Sequence, residues 1–196
     1  APYPREPVFK ALDDAAAKYP AQTAVLFQER AVSYKNLKIL TDKLAAGLLK
    51  MGVVRGDRVC LFLPNCTEFI ISDWAALKAG AAVVPTSTLR TDDGLVHEAG
   101  SSGSKVIICR EEHLERVMGI KDRCRYEWII VTSNEGYDVR EINRPLPDGV
   151  VEFRKLLEET DPVPPPVDLD PEKDLCELAF TGGATGVPKG VMITHF

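Results

Sequence analysis

Ten residues near the carboxyl end of the chain, TGGATGVPKG (Thr181 to Gly190), bring together two threonine hydroxyls, four glycines and one lysine. Glycines let backbone amides approach an anion closely, hydroxyls donate hydrogen bonds and an ammonium neutralises charge, so the stretch suits a phosphate group. The candidate binding set is Thr181, Gly182, Gly183, Ala184, Thr185, Gly186 and Lys189. A P-loop needs Gly before its Lys and a hydroxyl after it, whereas here Pro188 precedes Lys189 and Gly190 follows. A dinucleotide fingerprint needs G-x-G-x-x-G opening a helix, and Gly182-Gly183-Ala184-Thr185-Gly186 lacks that spacing. The residues that follow, VMIT (191 to 194), read as a strand, so no helix amino terminus is on offer for the anion. What remains is a strand-to-strand loop able to wrap a polyphosphate. A glycine-rich run is often a plain turn, but a turn does not require Thr, Pro and Lys at these spacings.

The elements expected to carry this loop follow from periodicity. Val8, Leu12, Ala15, Ala16 and Tyr19 keep a helical period that Pro20 ends. TAVLFQ (23 to 28) and AVSY (31 to 34) flank Glu29-Arg30 as a hairpin, and Leu37, Leu40, Leu44, Leu48 and Met51 mark the packing face of a long helix closed by Gly52. The rhythm then changes to short Val- and Ile-rich runs alternating with helices, which predicts an α/β fold, a doubly wound and mostly parallel sheet. Its strands are read at 59–63, 81–85, 105–109, 128–132 and 175–180. Asn65 is expected to cap the first helix of this series with Glu68 answering as in a capping box, Gly80 to end it, Thr91 to begin the next, and EEHLER (111 to 116) to form another. Residues 133–150 read as a loop, 151–159 as a helix, and DPVPPPVDLDP (161 to 171) as an extended polyproline-like connector. Ligands of such sheets sit beyond the carboxyl ends of the strands.

Composition narrows the partners. With 45% hydrophobic and 27% charged residues the chain reads as a globular protein, and a net charge of −5 argues against a broad nucleic-acid-binding surface. No apolar run reaches the roughly 20 residues of a membrane span, and no signal peptide opens the chain, so a cytoplasmic location is expected. Cys60, Cys66, Cys109, Cys124 and Cys176 are odd in number and contain no C-x-x-C pair, which fits idle thiols better than disulfides or a zinc site. Phe69 and Trp74 read as core. His195, at the end of the last strand, reads as a packing or hydrogen-bonding residue, and His97 and His113 as surface positions without a functional role.

At this point the loop carries a resemblance. TGGATGVPKG followed by VMITH (Val191 to His195) resembles the phosphate-binding motif of the adenylate-forming, or AMP-binding, superfamily, usually T-S-G-T-T-G-x-P-K-G. VSYKNL (Val32 to Leu37) is similar to that family's first motif and LKAGAAVVP (Leu77 to Pro85) to its second, in the right order. The pairing LPNCTE (Leu63 to Glu68) and the run P-K-G-V-M-x-T-H look most like acyl-CoA synthetases of the fatty-acid–CoA ligase type. Amino- or aryl-acid-activating enzymes and a non-catalytic nucleotide-binding remnant stand as alternatives.

The resemblance implies a reaction in which a carboxylate attacks the α-phosphate of ATP, pyrophosphate leaves, and the acyl group passes from the adenylate to the thiol of CoA. It implies ATP, Mg²⁺ and CoA as cofactors and a small carboxylic acid, a fatty acid by motif flavour, as substrate. Thr181, Thr185, the amides around Gly182, Gly183 and Gly186, and Lys189 would address the leaving pyrophosphate, where charge builds. Lys189 would act as an electrostatic clamp and not as a base, because a solvated lysine stays protonated near neutral pH. Gly182 stands where the family usually has Ser and Ala184 where it often has Thr, so two hydroxyl donors are missing. By the same resemblance residues 1–54 would belong to a subdomain completed by later sequence, with 55–196 forming the αβ subdomain. The acyl pocket, the ribose-binding aspartate and the C-terminal domain with its catalytic lysine would lie beyond Phe196. No catalytic set is complete in this chain, which alone is then expected to be inactive and to self-associate through exposed apolar surface.

Overall fold

The alternation of short β-branched runs with helical stretches builds a seven-stranded, mostly parallel sheet in the computed structural model, which describes residues 4–133, 142, 144–182, 186 and 188–196. Ahead of the sheet come α1 (Lys10–Lys18), a hairpin of β1 (Thr23–Phe27) and β2 (Arg30–Ser33), and α2 (Tyr34–Lys50). Ser33 caps α2 by accepting from the amide of Asn36 at 3.3 Å. The hairpin turns at Gln28 and Glu29, one residue before the expected Glu29-Arg30, and both carry positive φ, 47° and 64°. That is the backbone a two-residue loop needs to match the strand twist, adopted here without glycine.

The sheet runs β7–β6–β5–β3–β4–β8–β9, with β3 (Arg58–Phe62), β4 (Ala82–Pro85), β5 (Val106–Arg110), β6 (Trp128–Thr132), β7 (Val150–Glu152) and β8 (Leu175–Thr181) parallel. Only β9 (Lys189–Thr194) runs antiparallel, folded back on β8. The chain leaves β3 for β4 on one side and returns to β5 on the other, so the strand order reverses there. Both faces are covered. Leu44 and Leu48 of α2, Ile71 of α3 (Thr67–Lys78) and Phe153 and Leu157 of α7 (Phe153–Glu158) pack on one face with Val59, Leu61, Ile108 and Ile130. The other face carries Leu95 of α4 (Asp92–Leu95), Leu114 and Val117 of α5 (Leu114–Gly119), and Cys124 of α6 (Lys121–Cys124), packed on Cys60, Phe62, Ile107 and Ile129. The doubly wound α/β class read from the sequence is thus the observed one. Leu12, Val25 and Val32 share the first of these cores, so the first helix and hairpin pack continuously with the sheet.

Local expectations fare unevenly. Thr91 caps α4 as expected, accepting from the amide of Gly94 at 3.2 Å. Asn65 does not cap α3: the helix begins one residue later, Cys66 holds the cap position, Asn65 is exposed and Glu68 is buried beside Cys66. EEHLER divides into a 3₁₀ turn over Glu111–His113 and α5, and the expected helix from residue 151 first extends the sheet as β7 before α7 begins. Gly80 ends α3 with φ +78°, where a Cβ would sit 2.7 Å from Val167 Cγ1 of the extended connector. Phe69 and Trp74 are half-buried against the core.

Candidate functional site

Because β8 runs parallel to β4, its carboxyl end at Thr181 lies on the edge of the sheet where β3, β4 and β5 also end. The loop that starts there is therefore on the side where open α/β sheets bind ligands. The β8–β9 ladder brings its two stems together, pairing Phe180 with Gly190 and Thr181 with Lys189. Thr181 Oγ1 donates to the carbonyl of Lys189 at 3.4 Å, a long bond that a better acceptor can displace.

Of the sequence-predicted set, Thr181, Gly182, Gly186 and Lys189 are all exposed. A Cβ at Gly182 or Gly186 would meet nothing within 4 Å, so the backbone there is open to an incoming anion. Among the described residues no carboxylate pairs with Lys189. Its backbone position is fixed by the strand, where it pairs with Thr181. Gly183, Ala184 and Thr185 lie outside the described residues.

A residue that sequence reasoning left aside reaches this loop. His97, expected at the surface without a role, sits half-buried in a π-helical turn, Val96–Gly100, that continues α4. Its Nε2 lies 2.8 Å from the carbonyl oxygen of Pro188, and its ring meets Phe180 edge-on at 5.7 Å and 78°. The hint in the sequence is a histidine six residues beyond the Thr91 cap, which carries no pattern of its own. His113 packs its ring on Phe62 with centroids 5.0 Å apart, and burial lowers its pKa. His195 fulfils its predicted structural role: it is 7% exposed, and its Nδ1 accepts the amide of Val8.

Two further groups of reactive side chains are neutralised or buried. A cavity of about 460 Å³ is lined by Asp13, Lys38, Asp42, Lys78 and the proline connector, but its two lysines and two aspartates neutralise one another. All five cysteines are free and buried; burial pushes Cys60 up to about 12 and Cys66 up to about 11, which suits idle thiols and not nucleophiles. Among the described residues no group of three or more His, Cys, Asp or Glu side chains could hold a metal ion. No helix among them is long and apolar enough to cross a membrane.

The profile of the AMP-binding enzyme family matches residues 12–196. A long-chain-fatty-acid–CoA ligase of Bacillus subtilis is 34% identical over 99% of the chain and 37% of its own length. A 4-coumarate–CoA ligase of Arabidopsis thaliana is 30% identical over 83% of the chain and 28% of its own length. The chain therefore spans about a third of the length of these relatives. Among solved structures, the anthranilate CoA ligase AuaEII in complex with anthranoyl-AMP superposes with a TM-score of 0.86 at 20% identity, covering 98% of the chain and 36% of that protein. A long-chain-fatty-acid–CoA ligase of Archaeoglobus fulgidus gives 0.83 at 22% identity, over 100% of the chain and 38% of that protein. These likenesses establish the fold.

Proposed function

The chain belongs to the AMP-binding enzyme family, and from that membership we propose that the whole protein is an ATP-dependent acid–CoA ligase. In this reading the loop from Thr181 to Lys189 grips the β and γ phosphates while a carboxylate attacks the α-phosphate. The observation that carries it is the exposed Lys189, without a carboxylate partner among the described residues, at the mouth of a loop on the carboxyl edge of the sheet. The donor set fits a polyphosphate: an exposed hydroxyl on Thr181, open backbone at Gly182 and Gly186, and a cation. Gly183, Ala184 and Thr185 complete the proposed set. Their chemistry is electrostatic, countering the charge that grows on the departing pyrophosphate. Mg²⁺ would enter with the nucleotide, and CoA would accept the acyl group.

A fatty acid is the proposed substrate, supported by the B. subtilis relative, which matches almost the entire chain. An aryl acid is the second reading, favoured by the 4-coumarate–CoA ligase. A cytoplasmic location and the assignment of residues 1–54 to a subdomain shared with later sequence rest on the same family membership. Self-association of this chain alone is supported by edge strand β9, where Val191, Met192 and Ile193 are 45%, 71% and 40% exposed.

The test is ATP–pyrophosphate exchange by the whole protein across saturated fatty acids and hydroxycinnamates. Lys189→Ala is expected to slow exchange by about 10²- to 10³-fold, the usual cost of losing one transition-state charge contact, while sparing thioester formation from supplied acyl-adenylate. Equal loss of both steps would refute the clamp. Faster turnover of hydroxycinnamates would overturn the fatty-acid assignment.

A further inference from the structure

We propose that His97 is a positioning residue for the phosphate loop, tying its two stems together and so fixing the point from which Lys189 acts. The inference rests on the reading of the loop as a nucleotide site. Pro188 has no N–H of its own, and its carbonyl lies just outside the β8–β9 ladder, which closes at the Thr181–Lys189 pair. That carbonyl needs a donor from elsewhere. His97 supplies it from the β4–β5 connection, 91 positions away, with Nε2 at 2.8 Å. Since a carbonyl only accepts, Nε2 carries the hydrogen, and the bond persists whether the ring is neutral or protonated.

The same ring contacts the opposite stem. Phe180 stands edge-on to His97 and faces Gly190 across the ladder, where an added Cβ would come within 3.4 Å of Phe180 Cζ. His97, Phe180 and Gly190 therefore form one stack beneath the loop, and the imidazole bridges its entrance and exit. The backbone that presents His97 is itself anchored. Glu98 is 1% exposed and pairs with Arg90 at 2.7 Å, Arg116 donates to the carbonyl of Arg90, and Ser101 Oγ donates to the carbonyl of His97. The π-helical turn rotates the histidine out of the regular helix register, a distortion that recurs at functional sites. The backbone of Lys189 is held in the ladder by its pair Thr181, and Pro188 directly precedes it.

Two variants of the whole protein separate donor from ring. His97→Gln keeps an N–H at the ε position; His97→Phe keeps the ring and loses the donor. Equilibrium binding of Mg-ATP and amide hydrogen exchange at Gly186, Lys189 and Gly190 are read beside the thermal midpoint. The Phe variant is expected to weaken ATP binding about five-fold, as loss of one neutral hydrogen bond does, and to exchange faster at the loop with an unchanged midpoint. The Gln variant is expected to match wild type within about two-fold. Wild-type affinity and exchange in the Phe variant, or equal losses in both, would overturn the proposal. Wild-type protein that binds no ATP would overturn the loop's assignment instead. Faster loop exchange in the Phe variant would then still support His97 as the tie between the stems, and unchanged exchange would still refute it.

Discussion

The amide of Val8 donates to Nδ1 of His195 at 3.2 Å, joining the two ends of the chain across 187 positions. The backbone N–H of His195 in turn donates to the carbonyl of Asp174 at 3.3 Å. An imidazole that accepts at Nδ1 must be neutral there, and burial lowers the pKa of His195 below the ordinary 6.5, against a weaker opposing pull from Asp174. Folding holds the ring neutral where the unfolded chain would protonate it. The stability that His195 contributes is therefore present above about pH 6.5 and is lost as pH falls from there toward the depressed folded value.

Thermal midpoints from about pH 7.5 to about pH 5.5 test this, comparing wild type with His195→Asn, which offers an acceptor that does not titrate. Wild type is expected to lose more stability on acidification than the variant. Among the described residues, two other groups with shifted pKa values bear on the same window. His113, also lowered by burial, adds to the loss; Asp73, pushed up to about 6 by burial and then by the charge of Glu177, opposes it. Both are common to the two proteins, so their difference isolates His195. Parallel curves would refute the assignment.

Sequence pattern carried the fold further than it carried the site's supports. Val59 to Leu63 and, within the strand read at 105–109, Val106 to Cys109 are apolar runs that suit a sheet buried on both faces, so their strand character was plain. Val150–Glu152 was hidden, because three residues at a sheet edge show no alternation and join directly onto the helix from Phe153. Cys66 displaced Asn65 as the cap because burial of Cys66, Thr67 and Glu68 decides where α3 begins, and local cap preference does not. In the proposed site, Thr181 and Lys189 were proposed from the motif. His97 was not, since its role arises from a contact 91 positions away that no local spacing encodes.

The ion cluster of Asp13, Asp42, Lys38 and Lys78 ties α1, α2 and α3 together. Lys78 Nζ lies 2.5 Å from Asp13 and also contacts Asp42, which takes Lys38 as well. The Lys78 and Asp42 side chains are only 6% and 4% exposed, so removing one partner strands charge in the interior. Lys78→Met is expected to cost about 3 kcal/mol, toward the low end for a broken buried pair because Lys38 remains beside Asp42. Adding Asp42→Leu is expected to recover much of that loss, since a matched apolar pair removes the stranded carboxylate. Urea unfolding of the three proteins decides it. A single variant as stable as wild type would show that the cluster contributes nothing net.

Gly182 offers the most direct check on the loop's donor set. The family's usual Ser is absent there, yet nothing stands within 4 Å of an added Cβ and the backbone lies outside the left-handed region. Gly182→Ser is therefore expected to fold as wild type does. If the loop holds a polyphosphate, the new hydroxyl gains a charged acceptor, a bond worth up to about 1.5 to 3 kcal/mol when desolvated. The exposure of residue 182 reduces that gain, so ATP affinity is expected to improve by about three- to ten-fold in the whole protein. Equilibrium binding measures it, with thermal midpoints to confirm unchanged stability. Unaltered affinity would mean that backbone amides, brought close by glycine, already satisfy the phosphate oxygens, and that Gly182 substitutes for Ser by approach and not by loss.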